Sequence, residues 1–215
     1  MNKYLLSREF IHIVQNTYEI YFQHGARSSQ KTDYFHTYIQ TKVSEFITEN
    51  GLSDTYKCHL EHKVPSVNAS GSKRCDIVIT KHNRPYVIFP VKVVMSNYKQ
   101  NKNNAWENLT GELLHLKWAN SDIKIIPINV ILNQIPYLDA GQKIKKYEAI
   151  EYDDTFKIYE TLTGRGICDS QMNYILDVAP VCEVGAPYNK CPHMVGFNSK
   201  TPFIPMSQVL SELLC

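Results

Sequence analysis

The chain has 215 residues, enough for one domain, and 43% of them are hydrophobic, which excludes wholesale disorder. Its 23 Lys+Arg against 21 Asp+Glu give a formal charge of +2, which excludes a polybasic binder of the histone kind but leaves open phosphate contacts made by a few well-placed cations. Six Cys are too sparse for a disulfide scaffold, and the longest apolar runs, 86–90 and 125–132, fall far short of a bilayer span.

Residues 4–23 carry Leu6, Phe10, Ile13, Val14, Ile20 and Tyr21 near helical spacing, and Gly25 stops the pattern. With Arg8 and Glu9 directly behind the first six residues, no signal peptide is expected. The expected setting is a reducing cytoplasm, with the Cys as free thiols. A second helix is predicted over 33–49, with Asp33 as N-cap and Phe35, Ile39, Val43, Phe46 and Ile47 as its apolar stripe. Asn50-Gly51 ends it.

Three strands follow. Residues 55–64 alternate through Tyr56, Cys58, Leu60 and Val64, and 74–79 form the second strand after a turn at 65–72. Residues 85–95 (PYVIFPVKVVM) are apolar almost throughout, as a central strand is. A polar, basic loop is predicted over 96–104, then a helix over 105–119 and a fourth strand over 123–132. Short links between the first three strands predict a meander, and the strand–helix–strand step predicts one parallel crossover. The fold class is therefore α/β, a mixed α+β sheet with helices on both faces. Beyond residue 134, helical pieces are predicted over 143–147 and 152–162, a loop-rich stretch over 179–205 with five Pro, and a short helix over 207–214.

The chemistry concentrates on the middle strands. Asp76 lies early in one strand and Lys92 in the next, so antiparallel pairing can bring them to one edge of the sheet. A carboxylate can hold Mg²⁺, and a nearby Lys can orient an attacking water and offset phosphate charge. A lone charge inside PYVIFPVKVVM needs a partner or a cleft, so a structural Asp76–Lys92 ion pair is the alternative.

This element order, with Asp76 and then Pro90-Val91-Lys92, resembles the PD-(D/E)XK nuclease superfamily and within it the type II restriction endonucleases. The resemblance covers about residues 33–132 and implies a restriction-endonuclease-like αβββαβ core, with 1–32 and 133–215 as additions for recognition and dimerisation. It implies Mg²⁺-dependent hydrolysis of double-stranded DNA, leaving a 5′-phosphate and a 3′-hydroxyl, by a homodimer with a cognate DNA methyltransferase as genetic partner. The chain departs from the family where an acid is expected two positions before the Lys: it has Pro90. Some members take that acid from the following helix, which favours Glu107, then Glu61 and Glu45, then Glu112. The implied catalytic set is Asp76, Lys92 and Glu107, with Asp76, Glu107, Glu61 and Glu45 as metal candidates.

Candidate DNA contacts are Asn97, Lys99, Gln100, Asn101, Lys102 and Asn104 in the polar loop, where Lys meets phosphates and Asn or Gln pairs with adenine edges. Arg27 and Lys31 near a helix start, and Lys73 and Arg74 just before Asp76, complete the set. A solvated loop and edge charges that discourage aggregation account equally for these residues. Pro90 motivates a catalytically inactive DNA-binding protein on the same fold as the rival reading, and a repair or recombination nuclease is the second. Cys182, Cys191, His193 and Cys168 lack the close thiol pairs of a structural zinc site, so free thiols are expected.

Overall fold

The computed structural model describes residues 3–215, the side chain of Ile158 apart. Helix α1 (Lys3–His24) and helix α2 (Gln30–Glu49) pack through Phe10, Val14, Phe35, Ile39 and Val43. Helix α2 starts before the predicted Asp33 because Ser29 takes the N-cap place, and Asp33 falls in the first turn. There its carboxylate accepts from Ser29 Oγ at 2.8 Å and complements the helix dipole.

The meander follows as β1 (Tyr56–Pro65), β2 (Ser72–Lys81) and β3 (Arg84–Phe89), paired antiparallel. The predicted strand 85–95 is two strands, β3 and β4 (Val91–Val93), because Pro90 has no N–H to give the ladder. Helix α3 (Tyr98–Ala119) leads to β5 (Lys124–Ile125) and β6 (Ile128–Leu132), so the predicted strand 123–132 is also divided, at Pro127. β3 pairs with β5 and β4 with β6, both parallel, which is the predicted crossover. The register is the same on both sides of the prolines: Val87 faces Lys124, and four residues on Val91 faces Ile128. The chain thus crosses from a sheet ordered β1-β2-β3-β5 into one ordered β10-β9-β6-β4, where β9 is Met172–Ala179 and β10 is His193–Phe197. β6 is buried at all positions, as a strand covered on both faces must be.

Two predictions fail for tertiary reasons. Residues 98–104 are not a loop but the first turns of α3, and 144–149 form β8 (Ile144–Ala149), paired with β7 (Gln134–Leu138), rather than a helix. The two segments meet at one contact. Glu148, only 4% exposed on β8, accepts the Lys99 backbone N–H at 3.0 Å and so caps the start of α3. Asn97 assists from a left-handed backbone (φ 52°), its Oδ1 accepting the Leu138 N–H at 2.6 Å. Glu148→Ala is expected to cost about 1–3 kcal/mol of stability by leaving a helix-start N–H without its acceptor; Glu148→Gln, which keeps an acceptor, should lose less in the same denaturant titration.

Helix α4 (Tyr152–Gly164) and helix α5 (Met206–Leu214) match their predictions, and β10 gives order to the Pro-rich stretch. No described helix is long and apolar enough to cross a membrane.

Candidate metal centre and phosphate cleft

Asp76 sits where the β2–β3 ladder ends. The last pair is Ile77 with Phe89, and beyond it Pro90 gives no N–H. The next donor, the Val91 N–H, goes instead to Asp76 Oδ2 at 2.7 Å. This contact fixes the carboxylate beside the strand that carries Lys92, and it leaves Oδ1 free of that bond.

A cleft of about 270 Å³ opens there, bordered by Lys73, Arg74, Asp76, Lys92, Glu112 and Asn129 among others. A second cleft of about 330 Å³ shares Lys92, Ala105 and Tyr159 with it and continues past Asn101 to Lys31. Lys92 is exposed and, among the described residues, makes no ion pair, so the alternative of a structural Asp76–Lys92 pair is not realised.

Asp76 also belongs to a group of side chains that could hold a metal ion. One ligand atom each of His36, Glu61 and Asp76 lies within 4.8 Å of the others. His36 comes from the buried face of α2, and its Nδ1 is 3.7 Å from Glu61 Oε1. Glu61 lies between the Leu60–Ile77 and His62–Cys75 pairs, opposite Asp76, and holds a left-handed φ of 50° in the middle of β1. Such a backbone in a non-Gly residue costs on the order of 1–3 kcal/mol and is concentrated at functional sites. Two carboxylates and one imidazole are a donor set that can hold a divalent ion.

The acids ranked from sequence are placed unequally. Glu61 and Asp76 come together. Glu107 is exposed and lies outside the residues bordering the cleft, whereas Glu112, about 140° around α3 from it, borders the cleft with Ala105, Asn108 and Leu109. Glu112 also pairs with Lys73 at 3.2 Å. Glu45 is bound to Lys42 at 3.1 Å and borders two other cavities, away from Asp76. Glu112→Ala is therefore expected to lower any activity of this cleft and Glu107→Ala to leave it unchanged, compared under identical assay conditions.

The DNA-contact candidates also divide. Arg74 is exposed and borders the first cleft, while Arg27 is exposed in the α1–α2 connection. Lys31 Nζ donates to the Ala26 and Ser28 carbonyls at 2.9 and 2.7 Å, closing that connection while it borders the second cleft. Asn97 is spent on Leu138, and Asn101 Nδ2 donates to the Asn97 carbonyl at 3.0 Å. Lys102 Nζ reaches the Asp154 carbonyl, and Asn104 Oδ1 accepts from Asn108 at 3.2 Å. Lys99 and Gln100 remain exposed on the first turn of α3.

Two site residues escaped the sequence reading. Asn129, 6% exposed, faces Lys92 across the parallel β4–β6 pair and donates to Asn173 Oδ1 at 2.8 Å. Its signal was a single amide within the apolar run 128–132. His36 was a titratable group adjoining the Phe35–Ile39 stripe.

Cys182, Cys191, His193 and Cys168 form no ligand group among the described residues, and all six thiols are free. Burial pushes the Cys58, Cys75, Cys168 and Cys191 thiols up to about 12, against attack as thiolates. A thiol reagent at mildly alkaline pH is expected to modify exposed Cys215 first, and buried Cys75 and Cys168 only after denaturation; mapping the labelled peptides checks this.

No family model, curated protein or solved structure matches the chain.

Proposed function

We propose that the chain is a metal-dependent DNA endonuclease of restriction type, cutting a short, specific duplex sequence. One observation carries the reading: Asp76 belongs at once to the His36–Glu61–Asp76 ligand group and to the cleft that holds Lys92. A carboxylate shared between a metal and a cation-lined cleft is the arrangement that phosphodiester hydrolysis needs. The antiparallel meander and parallel crossover agree with the restriction-endonuclease-like core that the sequence resembles.

In this reading His36, Glu61 and Asp76 would hold the ion, which when bound would polarise a phosphoryl oxygen and activate an attacking water. Lys92 orients that water and meets the negative charge that builds on the phosphate as the water oxygen bonds to phosphorus. The bond from phosphorus to the 3′-oxygen breaks, the attacking water gives up a proton to solvent and the leaving 3′-oxygen takes one from solvent, giving a 5′-phosphate and a 3′-hydroxyl. Asn129 opposite Lys92, and Glu112 through its pair with Lys73, shape the cleft wall. Arg74, Lys92 and Lys31 border the two adjoining clefts, where a phosphate backbone would lie. A two-fold homodimer would match a palindromic site.

The test is incubation of a high-complexity DNA with Mg²⁺ or Mn²⁺. Discrete fragments are expected. Degradation proceeding from ends would favour a repair or recombination nuclease instead. Specific binding without cutting in either metal would favour the inactive DNA-binding protein that Pro90 suggests.

A further inference from the structure

The ligand group is not the all-oxygen set that the resemblance leads one to expect. We propose that this centre is built for a divalent transition-metal ion, with Mn²⁺ as its probe, in preference to Mg²⁺, and that the His36 imidazole sets the preference.

Mg²⁺ is small and hard, takes oxygen ligands in near-ideal octahedral geometry and gives up its waters reluctantly. Imidazole nitrogen suits the first-row transition metals, while carboxylates serve Mg²⁺ and Mn²⁺ alike. The two carboxylates therefore discriminate little, and the nitrogen discriminates most.

His36 is placed to be that ligand. It is 7% exposed, packed on the buried side of α2 beside Phe35, so the helix holds the ring against the sheet. Its Nδ1 lies 3.7 Å from Glu61 Oε1, a separation fit for two ligands of one ion. Ligand atoms about 2.0–2.3 Å from a shared ion lie within about 4.6 Å of one another; the group's spread of up to 4.8 Å closes with small side-chain rotations. Glu61 supplies the second observation. Its left-handed backbone interrupts an otherwise regular strand at the position opposite Asp76, where an extended residue would serve the ladder better. Three protein ligands leave further coordination positions open to water and to a phosphate oxygen, as catalytic centres require.

The catalytic meaning of this preference rests on the nuclease reading, but the preference itself is measured without DNA, so the two fail separately. Free Mn²⁺ is followed by its electron paramagnetic resonance signal during titration of the whole chain, then with Mg²⁺ added to about a hundredfold excess. Wild type is expected to retain most of its Mn²⁺. His36→Asp, an all-oxygen set, should release it to Mg²⁺, and His36→Asn should bind Mn²⁺ more weakly by about tenfold or more. Pulsed measurements on the wild-type Mn²⁺ complex should show coupling to an imidazole nitrogen, a readout that needs no variant to fold. Absence of that coupling, displacement of Mn²⁺ from wild type by an equal concentration of Mg²⁺, or an unchanged preference in folded His36→Asp would overturn the proposal.

Discussion

Lys92→Ala should abolish DNA cleavage while leaving most of the binding and all of the fold. Lys92 is exposed on β4 and makes no ion pair among the described residues, so its removal orphans no group. On the proposed mechanism, what disappears is the cation that would face the charge building on the phosphate oxygens. Loss of one such group costs about 10²–10³-fold in rate, and more where it also places the nucleophile. The check has two parts: a cleavage rate measured with metal, and a binding isotherm measured without it. A variant that cuts at the wild-type rate would move the catalytic cation elsewhere, Arg74 being the next on the cleft wall.

Asp76→Asn should be as severe, for a different reason. The amide oxygen still accepts the Val91 N–H, so the junction at Pro90 holds and the melting temperature changes little. The ligand set falls from two carboxylates to one, and metal affinity should fall with it, by about tenfold or more. Asp76→Ala differs: it strips the Val91 N–H of its acceptor as well, a further cost of about 1–3 kcal/mol in stability. The comparison separates the two jobs of one side chain, since calorimetric metal titration should register both variants and thermal melting only the Ala variant. Strong metal binding by folded Asp76→Asn would remove Asp76 from the centre.

How far the sequence was legible follows from how local each signal is. The helix stripe of α2, the meander and the parallel crossover rest on periodicity and short connections, and they emerge as read. The splits fall at Pro90 and Pro127, each a residue with no N–H to give a ladder. The start of α3 was hidden because the carboxylate that caps it, Glu148, is about fifty residues away in the chain. The polar run 96–104 has the composition of a loop, yet residues 98–104 open α3, where a distant carboxylate accepts a first-turn N–H. The site shows the same division. Asp76 lies on β2 and Lys92 on β4, which continues β3 past Pro90, and both were found from the strand order. His36 reaches the centre from a helix before the sheet, and the choice between Glu107 and Glu112 turns on the rotation of α3, which composition does not fix. Pro90 lacks an acid, but opposite Asp76 the kinked backbone of Glu61 provides one.

The near-neutral charge takes on a local meaning. Between Lys92 and Lys102 there are three Lys and no acid, and β1 and β2 carry Glu61 and Asp76 as their acids, both in the ligand group. A modest salt dependence on random DNA is expected of such a surface, since few phosphates are neutralised at once.

The most direct measurement is a parallel digest of one unmethylated supercoiled plasmid by wild type and by Lys92→Ala, in Mn²⁺ and in Mg²⁺. Discrete linear fragments from wild type, suppressed by a chelator and missing with Lys92→Ala, are the predicted result. Wild type that leaves the plasmid intact in both metals, or identical fragments from the two proteins, would contradict it.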